Sequence, residues 1–186
     1  MSTSSQAPVA PARIFWYIHF HKNSGMLTMS ESTRIKADIV PYTVEYSKVV
    51  LSWIDSEETY RNVCRGIQFP PPDDLVDSWQ REGISSYLLF SSGKPVAYGE
   101  LWGRPLEMAI EIAHLIVIPS QRYRGYGTKL LELLYQRAAQ RQNVTKVILN
   151  FSGSDESALG CYLKAGFELE SMSRYSAGLR MVRIVK

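Results

Sequence analysis

At 186 residues the chain is long enough for one domain with a sizeable core, and 45% hydrophobic with 21% charged residues is ordinary for a soluble globular protein. The formal net charge of +3 comes from basic residues scattered along the chain, which argues against a nucleic-acid partner, and no recognition-helix or single-strand-binding motif is present. No apolar run approaches the ~20 residues needed to span a bilayer, and Cys64 and Cys161 lack the close spacing of a metal or redox pair, so free thiols in a reducing cytoplasm are the simplest reading.

Residues 1–33 differ from the rest. Ser, Ala and Pro crowd Ser2 to Ala12, and the apolar burst Ile14-Phe15-Trp16-Tyr17-Ile18 that follows is too short for a secretory core. Met26 and Met29 stand as alternative starts, and the stretch reads as a dispensable tail ahead of a single domain over 34–186. The other reading is an arm that packs Phe15, Trp16 and Tyr17 on its own domain or on a second subunit of a homodimer. His19-x-His21 lacks the further ligands of a metal site, so no metal is expected.

Ile35 to Val40 reads as a first strand, ended by Pro41. Thr43 is placed to N-cap an amphipathic helix carrying Tyr46, Val49, Val50, Trp53 and Ile54, and a second short helix covers Thr59 to Arg65. Phe69-Pro70-Pro71-Pro72 forces an extended linker, because proline lacks an N–H and bars the preceding residue from helix. Asp73 then caps a helix through Glu82, closed by Gly83. Tyr87 to Phe90, the turn Ser92-Gly93-Lys94 and Val96 to Trp102 read as a β-hairpin. Met108 to Ile118 is a strand, and its almost unbroken, β-branched apolar run suits burial on both faces. Gly127 to Gln140 is the long helix, with Leu130, Leu131, Leu133 and Leu134 at helical spacing, and Val144 to Phe151 alternates as a strand. Asp155 caps a helix to Ala165, and Phe167 to Met172 with Leu179 to Val185 make a last pair of strands. Helices on a mixed sheet, with one central strand–loop–helix unit, give an α/β class.

That unit carries the first chemical signal. A helix start leaves N–H groups without intrahelical partners, and with the helix dipole they form an anion site. Glycine lets the backbone wrap a phosphate closely. Between the buried strand and the Leu-rich helix stands Arg122-Tyr123-Arg124-Gly125-Tyr126-Gly127. A P-loop would need G-x-x-x-x-G-K-[ST], which is absent, and a dinucleotide fingerprint would want glycine where Leu130 stands.

Arg122-x-x-Gly125-x-Gly127 resembles the acyl-CoA pyrophosphate loop of the GNAT superfamily of N-acetyltransferases, Gln/Arg-x-x-Gly-x-Gly/Ala. A second constellation, Asp155-x-x-Ala158-x-x-x-Tyr162-x-Lys164-x-Gly166-Phe167, resembles the other signature of that family, with Asp155 where asparagine is usual. The N-capping acceptor survives that change and the amide donor does not. The resemblance covers Ile35 to Val185. It implies a mostly antiparallel sheet in which a splayed strand pair holds acetyl-CoA as co-substrate. Backbone groups of Leu115, Ile116 and Val117 would bond the pantetheine arm, and N–H groups from Tyr123, Arg124, Gly125, Tyr126, Gly127 and Thr128 the pyrophosphate, with Asp155 and Ala158 beside the cofactor.

Acetyl transfer to an amine needs a base for the amine, donors for the developing oxyanion and a proton for the leaving thiolate. Tyr162, protonated at neutral pH, resembles the family's general acid, the ordinary reading being a hydrogen-bonded core tyrosine. Glu111 is the first choice for the base, since its spacing to Gly125 matches the glutamate of the histone-acetylating branch. Glu100 and His114 are the alternatives. His114 has the more suitable intrinsic pKa, but alternation puts it on the face opposite Glu111 unless a bulge intervenes. The acceptor is a small-molecule or peptide amine. Asp55, Glu57, Glu58, Asp73, Asp74 and Asp77, with Trp53, Tyr60 and Trp79, would suit a cationic one if they line a pocket, and otherwise are solvated loop and helix-start carboxylates. The competing class is a CoA-binding sensor or interaction module without transfer.

Overall fold

The computed structural model describes residues 35–64, 68–152, 156–172 and 178–186. The tail-or-arm stretch, with its two histidines and two candidate starts, lies outside these residues, and so does Asp155.

Seven strands among the described residues form one sheet in the order β1-β2-β3-β4-β5-β7-β6. They are β1 (Asp38–Pro41), β2 (Ile84–Ser91), β3 (Lys94–Arg104), β4 (Ala109–Val117), β5 (Lys146–Ser152), β6 (Glu168–Met172) and β7 (Gly178–Ile184). Every neighbouring pair is antiparallel except β4 with β5. That single parallel pair requires a crossover, which is supplied by the helix α4 (Tyr126–Ala139). The predicted α/β architecture is the one observed.

Two apolar layers cover the sheet. On one face α4 packs across β3 and β4, with Leu130, Leu131, Leu134 and Ala138 fully buried, as the Leu-rich spacing predicts. On the other face lie a 3-10 turn at Val44–Tyr46, α1 (Ser47–Leu51), α2 (Glu57–Cys64) and α3 (Leu75–Ser78). Their Val50, Trp53, Tyr60, Val76 and Trp79 form one cluster with Leu88, Tyr98 and Ile116. α5 (Glu156–Lys164) follows β5 and packs against α4.

Two local expectations are corrected. The helix predicted from Asp73 to Glu82 is a single turn, Leu75–Ser78, with Asp74 at its N-cap and no side-chain capping bond. The Gln80 amide takes the Val76 carbonyl at 3.3 Å and the Tyr98 hydroxyl at 3.0 Å, and Gly83 turns at φ 80° into β2, so side chains and strand pairing claim groups that a longer helix would need. Thr43 makes no capping bond either. Its hydroxyl donates to Glu45 Oε2 at 2.9 Å, and the chain enters α1 through a 3-10 turn.

Candidate active site

The parallel pairing of β4 with β5 runs only from Ala109 opposite Lys146 to Ile112 opposite Leu149. Beyond that point β4 continues along β3 to Val117, and β5 continues along β7 to Ser152. The two strands therefore part, and a cleft of ≈ 110 Å³ opens between them. His114 and Leu115 line it from β4, Asn150 and Phe151 from β5, and Ala158 and Tyr162 from α5. Ala158 and Tyr162 are four residues apart on one helix face, as the spacing requires. The Tyr162 ring stands edge-on to Phe151, 4.9 Å between centroids. Of the β4 residues beyond the pairing, Leu115 lines the cleft, and the Val117 carbonyl accepts from Arg122 Nε at 3.2 Å.

At the end of β4 a 3-10 turn, Pro119–Gln121, leads into the glycine loop. Tyr123 and Gly125 both take left-handed backbone, φ 62° and 85°. Gly125 is the N-cap of α4, and the Lys129 N–H donates to its carbonyl at 2.9 Å. The N–H groups of Tyr126, Gly127 and Thr128 precede that first bond and belong to the open positive end of the helix. A Cβ on Gly127 would stand 3.2 Å from Cys161 Sγ, so this glycine also lets α4 approach α5. The Thr128 hydroxyl is 3.4 Å from the same sulfur. Arg122 does something the pattern does not reveal: its guanidinium bonds the Trp53 carbonyl at 2.9 Å and Asp55 at 3.0 Å, tying the loop to the end of α1. Arg124 and the highly exposed Tyr123 remain at the loop surface.

The two acidic candidates are differently held. Glu111 Oε2 accepts from Arg104 through Nε at 2.7 Å and also through Nη2, while Oε1 accepts from the Asn150 amide at 3.0 Å. The Arg104 guanidinium lies 5.5 Å from the Trp102 ring centre. Glu100 is fully buried. Its Oε1 accepts from the Tyr98 hydroxyl at 2.5 Å, and its Oε2 faces the Trp102 indole N–H at 2.5 Å and His114 Nδ1 at 3.0 Å. Burial first, then the negative charge of Glu100, push the Tyr98 phenol far above its ordinary range, so Tyr98 stays protonated and donates. A further chain, Ser86 to Gln80 to Tyr98, holds that phenol in place.

The bulge left open by sequence alternation is present. Tyr98 pairs with Ile116 but Glu100 pairs with Ala113, so β4 carries one extra residue opposite Gly99, and His114 takes φ 47°. The bulge turns the His114 ring onto the face that carries Glu100 and Glu111, where it stacks on Trp79 at 4.1 Å and meets the edge of Trp102 at 5.2 Å. Asn150, Arg104, Gln80 and Tyr98 were not anticipated at the site. A polar residue breaking the apolar alternation of Val147 to Phe151 was the available signal for Asn150.

The acidic, aromatic-lined acceptor pocket does not form as one unit. Trp53, Tyr60 and Trp79 are in the core, Asp77 accepts from the Ser47 hydroxyl, and Glu57 bonds Arg61. Asp55 sits on Arg122. Burial pushes its carboxyl upward, but the bonds from Arg122 and Thr59 outweigh this and hold it below the usual carboxylate range. Glu58, Asp73 and Asp74 are exposed. Among the described residues no group of metal-ligating side chains is assembled, and no helix is long and apolar enough to cross a membrane.

Comparison with known proteins places this geometry. The chain is 29% identical over 99 residues to aminoglycoside N(6')-acetyltransferase type 1 of Klebsiella pneumoniae, a match over 47% of this chain and 49% of the relative, so the chain spans about half the length of the curated relatives it matches. Its fold superposes on aminoglycoside acetyltransferase AAC(6')-Ib in complex with coenzyme A and kanamycin, with a TM-score of 0.67 and 22% identity over 80% of this chain and 95% of that one. Spermidine N-acetyltransferase from Vibrio cholerae, in complex with CoA and spermine, superposes with a TM-score of 0.65 and 13% identity over 80% and 95% of the respective chains. The family model described as Acetyltransferase (GNAT) family matches residues 50–167, from α1 through the parting strands and the glycine loop to the end of α5, and the chain belongs to that family.

Proposed function

We propose that this protein is an N-acetyltransferase that moves the acetyl group of acetyl-CoA to a primary amine by direct attack in a ternary complex. The observation that carries the reading is the parting of β4 from β5 after Ile112 and Leu149, which runs into the left-handed Gly125 turn at the N-terminus of α4. A pantetheine arm has amide groups, and a strand edge along Leu115, Ile116 and Val117 that does not pair with β5 would offer it backbone partners, the Val117 carbonyl being already taken by Arg122 Nε at 3.2 Å. The N–H groups of Gly125, Tyr126, Gly127 and Thr128 suit the two charges of a pyrophosphate. Ala158 leaves room beside the thioester, and Tyr162, across the cleft, supplies the proton that the departing thiolate takes. Asp155, ahead of α5 in the sequence, has no side-chain amide donor to offer the cofactor.

Relatives that bind coenzyme A together with aminoglycosides or spermine support a small amine as acceptor. Titrating the protein with acetyl-CoA by calorimetry, and following thiol release against a panel of amines, tests the reading. Binding with thiol release on at least one amine is expected. Binding without release on any amine would instead make the protein a CoA-binding module.

Tyr162→Phe should keep acetyl-CoA affinity within about threefold and lower turnover on the order of 100-fold, the usual contribution of a general acid. Unchanged turnover would remove Tyr162 from that role.

A further inference from the structure

We infer that His114 is the base that accepts the proton of the acceptor amine and that Glu100 is the residue that positions and polarises it; this rests on the acetyl-transfer reading above. Three observations converge on the pair. His114 lines the cleft that also holds Tyr162. It reaches that cleft only through the β4 bulge and a left-handed backbone at φ 47°, a conformation that persists where the surroundings impose it. Its Nδ1 lies 3.0 Å from a carboxylate with no exposed surface.

Glu100 gives that contact its direction. A fully buried carboxylate is costly unless paired, and among the described residues no arginine or lysine pairs it. Its partners are the neutral donors Tyr98 and Trp102, and His114. Among those partners the imidazole is the group that can carry a positive charge against the buried carboxylate. With Nδ1–H donating to Glu100 Oε2, Nε2 is left with its lone pair for the amine. Trp79 and Trp102 hold the ring plane between them. The other charged and titratable groups nearby are already committed: Glu111 to Arg104 and Asn150, Asp77 to Ser47, and Tyr98 to Glu100. Glu111, held on Oε2 by the Arg104 guanidinium and on Oε1 by the Asn150 amide, is fixed in a positioning geometry.

The step balances as follows. The acceptor binds as the ammonium, gives one proton to His114 Nε2 and attacks the thioester as the free amine. Its lone pair forms the N–C bond, and collapse breaks the C–S bond with that electron pair going to sulfur. The remaining excess proton on nitrogen passes to solvent, and the thiolate takes one from Tyr162. Exchange with solvent returns both side chains to their starting states.

The test compares wild type, His114→Gln and Glu100→Gln in thiol release across pH, with acetyl-CoA binding measured separately. For wild type, kcat/KM should rise with pH along an acidic limb. His114→Gln should lose that limb and fall on the order of 100-fold, with acetyl-CoA affinity retained. Glu100→Gln should lower kcat more than it raises the KM of the acceptor, because an amide replaces the carboxylate that fixes the ring's tautomer. Nitrogen NMR of the wild-type ring, assigned by its loss in His114→Gln, gives a readout that does not need the Glu100 variant to fold: the neutral ring should carry its proton on Nδ1. A neutral ring protonated on Nε2, or a His114→Gln enzyme that keeps its limb and turnover, overturns the inference. Wild-type protein that binds acetyl-CoA yet acetylates no amine removes the acetyl-transfer reading, and this inference with it.

Discussion

Glu111 accepts three hydrogen bonds on its two oxygens, from Arg104 and Asn150. Those bonds suit it to holding the cleft floor, where Asn150 is itself a lining residue. Glu111→Gln should therefore leave the acidic limb of the pH–rate profile in place while raising the KM of the acceptor severalfold. Loss of the limb would return Glu111 to the role of base. The sequence spacing that favoured Glu111 was blind to Arg104, seven residues earlier on the neighbouring strand, because cross-strand register is not visible in a linear pattern. The phenol of Tyr162 was legible for the opposite reason: its companions Ala158 and Gly166 lie on its own helix or just beyond it, where spacing and geometry are the same thing. His114 falls between these cases. Its chemistry was evident, and its orientation depended on a bulge.

That bulge is written in both strands. On β3, Gly99 stands in a strand interior, where glycine commonly marks a bulge or a close approach. A Cβ there would lie 2.8 Å from Leu134 Cδ1 and 2.9 Å from Leu115 Cδ2. Gly99→Ala should cost about 1–3 kcal/mol, the range for overpacking a core, and weaken acetyl-CoA binding because Leu115 lines the cleft. Denaturant unfolding and calorimetry on one preparation would check both, and an unchanged midpoint would show that the two leucines move aside freely. Gly125→Ala forces an L-residue into φ 85° with Ile35 Cδ1 3.1 Å from the new methyl. A loss of roughly 1–2 kcal/mol is expected, with a larger loss of cofactor affinity than the stability change alone would give. The strands, α4 and α5 were legible because period and punctuation agree along each of them. α3 was not, since Asp73 and Gly83 mark a helix between them whose C-terminal half is taken over by Gln80 and by the pairing of β2.

Across the whole molecule, Arg122 links two parts that sequence reading kept apart. It was singled out as part of an anion loop, and its guanidinium instead joins that loop to the carbonyl of Trp53 and to Asp55, nearly seventy positions earlier. Because the folded state lowers the Asp55 pKa, the carboxylate adds stability above its unfolded pKa of about 3.9, and that contribution disappears as pH falls through the lower folded value. Asp55→Asn should therefore lower Tm at pH 7 by a small amount, and the gap to wild type should close below about pH 4. A gap that persists at acid pH would show the pair to be held by packing. Arg122→Gln should lower Tm at both pH values, since the Trp53 carbonyl loses its donor regardless of Asp55.

The parting of β4 from β5 has one further consequence. Two strand edges that face each other without pairing are also edges that a neighbouring chain can pair with. A ligand seated between them would serve as a guard against self-association as well as a reactant. Heated without acetyl-CoA, the protein should scatter light at a lower temperature than its unfolding midpoint predicts, and saturating acetyl-CoA should bring the two temperatures together.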